Sequence, residues 1–278
     1  MNNFNIHRFG KLLRYDIISN YRFYLVQILG IFLWHFFSQL GIVYFSTRYW
    51  DHNPASYSSL PIDAVTSTCI TAYFAISFLL LVAMMARTFS VLSTKPKRIS
   101  YLMLPASNLE KFVSRLLIYS VGFIIINPLV FVVADVLRAV ALVAMPVHLP
   151  LVFTAIPTFI SNIILESCSF YTHGVAEVGQ FKFYYYMLYF ACFCLFNCMI
   201  YVLGSLYFKK NAFLKTTAIM MLVGFIIANI LPMSMVDYDG KHGYFGGMIY
   251  LTLFVAILLL CYRKFTRTTV IKKKLWRI

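Results

Sequence analysis

Six stretches of predominantly apolar residues, at 23–45, 64–86, 113–134, 184–207, 213–235 and 244–262, constrain this chain more than any other feature. A helix rising 1.5 Å per residue needs about 20 residues to cross a hydrocarbon core about 30 Å thick, and each stretch is close to that length. Lipid offers no partners to backbone N–H and C=O groups, so segments of this kind must be helical. The expected fold is all-α, a polytopic membrane protein with six transmembrane helices forming a single transmembrane domain over 1–278. Composition agrees: 61% of the 278 residues are hydrophobic and 12% charged, against about a quarter charged in soluble domains. Aromatic residues, at 18%, suit belts at two membrane interfaces rather than linkers.

A net charge of +15 would point to nucleic acid in a soluble protein, but the charges fall on one side of the predicted spans. Arg8, Lys11, Arg14 and Arg22 precede the first span, six cations lie between Arg87 and Arg115, Lys209, Lys210 and Lys215 follow the fourth, and seven lie from Arg263 onward. Together they make 20 of the 24 Lys and Arg; Arg48, Arg138, Lys182 and Lys241 lie opposite, with seven of the nine acids. The positive-inside rule then puts both termini in the cytoplasm, and the basic face meets anionic lipid rather than nucleic acid.

Residues 1–22 read as a basic amphipathic helix in the headgroup region, and the long apolar run after them as an uncleaved first span. The basic tail, 263–278, is either an electrostatic anchor on the inner leaflet or a stop-transfer signal without a partner. Between Asp135 and Phe183, Leu149–Leu165 is a candidate seventh span. Pro150 and Pro157 interrupt it, and a seventh crossing would carry the tail cations outside, so an extracytoplasmic helical or re-entrant region is expected.

Polar residues inside spans are functional candidates by position. His35 and Gln39 are spaced i, i+4 and share a helical face; Asn127, Asn197 and Asn229 lie in the third, fourth and fifth spans. These five either line a substrate pathway or pack helices through hydrogen bonds of about 0.6 kcal/mol each. No Asp, Glu, Lys or Arg is near a span centre, which argues against a proton- or sodium-coupled carrier. Asn127-Pro128 predicts a kink, and Asp135 with Arg138 an interfacial ion pair. Cys69, Cys192, Cys194, Cys198 and Cys261 fall within spans and read as buried thiols rather than disulfides or metal ligands. No H-E-x-x-H, G-x-S-x-G or phosphate-loop motif occurs, so no catalytic residue, metal or cofactor is expected in this chain.

One long charged segment, RTFSVLSTKPKRISYLMLPASNLEKFVSR (Arg87–Arg115), joins the second and third spans. Lys95, Lys97 and Arg98 flank Pro96, Leu104-Pro105 marks a turn, Ser107 or Asn108 suits a helix cap, and Glu110 suits the positive end of the helix dipole. It reads as a preorganised cytoplasmic docking loop for a soluble protein, or else as a solvated connector.

NNFNIHRFGKLLRYD (Asn2–Asp16) and LMLPASNLEKFVSRLL (Leu102–Leu117), with the six-span plan, resemble the permease subunits of type-2 ABC exporters, particularly permease-like proteins of the Bacteroides group of bacteria. The resemblance implies an interfacial helix at Phe4–Arg22 and a docking element at roughly 93–110 that meets a separate cytoplasmic ATPase through Lys95, Lys97, Arg98, Leu104, Pro105, Asn108 and Glu110. It further implies that this ATPase partner binds ATP and Mg, that a second permease copy or paralogue completes a dimer, and that the chain resides in the bacterial cytoplasmic (inner) membrane, relaying conformational change to move an amphipathic substrate. The chain departs from the best-known members in having a short connection at Asp237–Gly243 and its long one between the third and fourth spans. The alternative reading is a non-transporting membrane anchor, sensory or immunity subunit.

Overall fold

The computed structural model describes residues 4–51, 62–142, 151–158, 176–208, 210–230 and 240–269, and every regular element among them is helical. In chain order these are α1 (Ile6–Ser19), α2 (Tyr21–Asp51), α3 (Ile62–Met85), a 3-10 turn (Ser90–Leu92), α4 (Lys95–Leu102), α5 (Asn108–Leu142), α6 (152–158), α7 (Ala176–Tyr207), α8 (Ala212–Ile230) and α9 (Gly240–Thr269). Where six spans are predicted, four of the described helices, α2, α3, α5 and α9, are long and apolar enough to cross a membrane. The described apolar parts of α7 and α8, Ala191–Tyr207 and Ala212–Phe225, are shorter. Helix α9 runs on through Arg263, Lys264 and Arg267, so the first turns of the predicted basic tail are helical.

The chain forms two compact units. The first comprises Met1–Asp16, Leu81–Val121 and Val175–Ile278. Its centre is aromatic: Phe89, Phe112 and Phe265 are buried with ring centroids 5.3–5.6 Å apart, and Tyr262 meets Phe112 edge-on at 5.6 Å. Such pairs add to area burial because ring edges and faces carry opposite partial charge. Helix α7 lies along α9, with Phe193 and Phe196 against Tyr250. Helix α7 also packs on α8, where Tyr201 stacks on Phe213 and its hydroxyl meets Thr217 Oγ1 at 3.0 Å. Asn211 joins α7 to α8 at φ 54°, a left-handed conformation that asparagine tolerates better than most residues.

Gly204 of α7 fits tightly against α8. A Cβ there would overlap Thr216 Oγ1 and come within 3.1 Å of Thr216 Cβ and 3.2 Å of Cγ2. No rotation of a β-branched side chain clears all three atoms, so the helices would have to separate. Gly204→Ala is expected to cost about 1–3 kcal/mol as overpacking, read as a lower unfolding temperature in detergent, with relief from a second change, Thr216→Ala.

The second unit comprises Ile17–Leu80 and Gly122–Gly174. Val43, Val65, Cys69, Ile70, Phe131, Leu142 and Val152 form its apolar core, which includes α6 through Val152. Asp135 and Arg138, expected to form an ion pair, do so with both side chains completely buried, Arg138 Nη2 lying 2.8 Å and Nε 2.9 Å from Asp135 Oδ1. The second carboxylate oxygen of Asp135 accepts the N–H of Phe153 at 3.0 Å, so the ion pair also satisfies the first turn of α6. The pair thereby has a polar partner on another segment. Pro128 lies within α5, which is helical on both sides of it.

Candidate functional site

The loop between α3 and α5 is a built structure in the first unit. Phe89, 1% exposed, fixes its beginning in the aromatic core. Thr94 is extended, and α4 then starts with Pro96 in its first turn, where a missing N–H removes no intrahelical bond. Eight residues are too few for a stable isolated helix, so α4 must be held from outside. Tyr101, buried, donates its hydroxyl to the Lys111 carbonyl at 2.8 Å, and Lys111 Nζ returns a bond to the Leu102 carbonyl at 2.8 Å. The ammonium thereby satisfies an orphan carbonyl and the negative dipole end of α4. Burial pushes the Tyr101 phenol up to about 12.

Ser107 is the cap of α5: its hydroxyl accepts the Glu110 N–H at 3.2 Å, and Glu110 Oε2 accepts the Ser107 N–H at 2.9 Å. This reciprocal capping box decides between the two candidate caps, and Asn108 becomes the first helical residue. Glu110 does more than cap. Its Oε1 accepts the Asn5 N–H at 2.9 Å and Arg8 Nη2 at 2.8 Å, and its Oε2 also accepts Arg8 Nε at 2.9 Å. A bidentate arginine and two backbone donors fill the carboxylate.

The same two chain segments meet again at Asp16 and Arg115, whose Oδ1 and Nη2 are 3.0 Å apart with both side chains buried. Arg115 also covers the Tyr101 ring at 4.9 Å. Burial pushes the Asp16 carboxyl up, opposed by the Arg115 guanidinium and the Ser114 hydroxyl. Arg8, Leu12 and Asp16 recur every four residues and form one face of α1. Asn5 caps that helix through Oδ1 to the N–H groups of His7 and Arg8, while Phe4 and Phe9 pack at 5.4 Å as a hydrophobic staple. Ile6, Ile17 and Ile18 remain exposed, with Lys11 and Arg14 exposed beside them.

The predicted docking residues therefore separate. Lys97, Pro105 and Asn108 are exposed, Arg98 and Leu104 are half-buried, and the side chain of Lys95 lies outside the described residues. Glu110 is 0% exposed, because capping and pairing consume its oxygens, so it supports the surface from beneath rather than forming part of it. Lys111 and Arg115, two of the loop's six cations, are buried for the same kind of reason. The two ion pairs, Arg8–Glu110 and Asp16–Arg115, were missed in the sequence, although a signal existed. Asp16 and Glu110 are the only acids on the predicted basic side.

In the second unit His35 and Asn127 come together: His35 Nε2 lies 3.0 Å from Asn127 Oδ1, while Asn127 Nδ2 donates to Ser77 Oγ at 2.8 Å and Tyr73 Oη at 3.3 Å. Phe131 and Tyr73 wall the imidazole. Gln39, one turn along α2, is also buried but shares no hydrogen bond with this group, and its amide atoms and His35 Nδ1 have no partner among the described residues. Asn197 bonds the Phe193 carbonyl of its own helix at 2.8 Å, and the Asn229 side chain lies outside the described residues. Of the five candidates, His35 and Asn127 form one interhelical node, and among the described side chains neither Gln39 nor Asn197 shares a hydrogen bond with it.

Cys69, Cys192, Cys194, Cys198 and Cys261 are free thiols, and Cys168 lies outside the described residues. Among the described residues no three His, Cys, Asp or Glu side chains gather as a metal site. Comparisons with protein-family models, with curated proteins and with solved structures find no match to this chain.

Proposed function

We propose that the protein is the membrane-spanning permease subunit of an ATP-driven exporter, acting through a separate cytoplasmic ATPase that docks on α4 and the turn into α5. The supporting observation is the construction of that segment. A short helix with exposed Lys97 at its start and exposed Met103 and Pro105 at its end is fastened from below by Tyr101, Lys111, Glu110 and Arg115. A mixed cationic and apolar surface on a built base is suited to transmitting force, because movement imposed on α4 passes into α5 through Tyr101, Lys111 and Arg115, and from α5 into α1 through Glu110–Arg8 and Arg115–Asp16. In this reading both termini are cytoplasmic, α7 and α8 complete six spans, and a second permease copy or paralogue supplies the other half of the pathway.

Lys97 and Arg98 are the cations through which an acidic ATPase groove would recognise the helix. Lys97→Glu with Arg98→Glu is expected to weaken ATPase capture by about tenfold or more while leaving folding intact, since rim charges chiefly govern encounter. Capture and transport at unchanged levels would remove both residues from the interface. A partner that docks on this surface yet hydrolyses no ATP would favour the membrane-anchor or sensory reading.

A further inference from the structure

A recess of about 350 Å³ lies between the ends of α7 and α9, lined by Tyr207, Leu260, Arg263, Lys264 and Arg267. All five belong to the first unit. We propose that it is a binding site for the headgroup of an anionic phospholipid, with the phosphate among the three cations and an acyl chain along the apolar face of α9. Leu260, Arg263, Lys264 and Arg267 are spaced to share one helical face. Ile249, Leu253 and Ala256, exposed, continue that face into the apolar part of α9. Greasy and cationic surface therefore follow one another along a single line, which is the order in which a lipid presents its chain and its phosphate.

Charge complementarity favours an anion. Among the described residues no carboxylate pairs with Arg263, Lys264 or Arg267. Lys264 Nζ stands 4.2 Å over the Tyr207 ring, which holds the ammonium at the recess while its remaining donors stay available. Arg263 and Arg267 add planar donor forks that match phosphate oxygens. Leu260 argues against a free anion as the natural occupant, since an exposed leucine at the rim contributes nothing to inorganic phosphate. The proposal rests on α9 crossing a membrane and on no partner protein.

The test uses the full-length protein, delipidated in an uncharged detergent and titrated with phosphatidylglycerol or phosphatidylcholine under native mass spectrometry. Phosphatidylglycerol is expected to bind preferentially. Arg263→Gln, Lys264→Gln and Arg267→Gln together should weaken that binding about tenfold or more, since each cation near a charged lipid surface adds attraction. Lys272→Gln, Lys273→Gln and Lys274→Gln together should change it less than about twofold, because the phosphate is assigned to Arg263, Lys264 and Arg267. Leu260→Asn should also weaken it, and excess inorganic phosphate should not displace the lipid. Equal losses in the recess and tail variants, or no loss in the recess variant, would overturn the site. Displacement by phosphate with no effect of Leu260→Asn would identify a free-anion site and overturn the lipid assignment. Binding both lipids equally, or binding neither, would also overturn the site, while the membrane reading, which rests on the apolar helices, would stand.

Discussion

Replacing Arg115 by methionine is expected to destabilise the first unit by about 3–5 kcal/mol, the scale seen when one partner of a buried ion pair is removed. Asp16 would then be a buried carboxylate facing an apolar chain, having lost the guanidinium that opposes its desolvation. Most of that cost belongs to the stranded charge rather than to the bond. Adding Asp16→Leu should therefore recover much of the stability even though no ion pair returns. Denaturant unfolding in detergent of wild type, both single variants and the double variant closes the cycle and gives the coupling directly. A loss below about 0.5 kcal/mol for Arg115→Met, the usual range for surface substitutions, would mean that the two side chains are solvated and α1 is not tied to α5 there.

Glu110→Ala is expected to cost about 2–4 kcal/mol, because one truncation removes the α5 capping box and the bidentate partner of Arg8 and strands the Asn5 and Ser107 N–H groups. Arg8 is 35% exposed and can recover water, so the estimate stays below that for a fully buried pair. Glu110→Gln should be nearly as damaging, since its NH₂ group would face donors whichever way the amide is turned. Arg8→Lys should be intermediate, a point charge replacing a fork. Hydrogen exchange would localise the effect, with faster exchange expected in the first turns of α1 and α5. Exchange unchanged in α1 would show that Glu110 caps its own helix and nothing more.

The sequence reveals the apolar helices because hydrocarbon permits a segment of that length no other backbone solution. α1 (Ile6–Ser19) lies inside its predicted 1–22, α3 matches 64–86 to within two residues, and α2, α5 and α9 run past their predicted spans at both ends, where polar turns continue the helix. The capping signal SNLE in α5 is also legible, being local. Asp135–Arg138 was recognised as a pair from its spacing, but its burial was not, because that depends on Phe153 reaching back across 18 residues. The links from Arg8 to Glu110 and from Asp16 to Arg115 span about a hundred residues and leave no periodic trace. They nevertheless join the two stretches on which the resemblance to exporter permeases rests. Spacing puts His35 and Gln39 on one helical face, but only the packing of α2, α3 and α5 brings His35 and Asn127 together.

The proposed docking surface on α4 is tested most directly by purifying the tagged protein from its native membrane in mild detergent, identifying what accompanies it, and assaying the eluate for ATP hydrolysis. The account predicts a stoichiometric phosphate-loop ATPase that is retained by the wild-type chain and lost when Lys97 and Arg98 are reversed. Its absence, under conditions that keep a known transporter assembled, would contradict the permease reading.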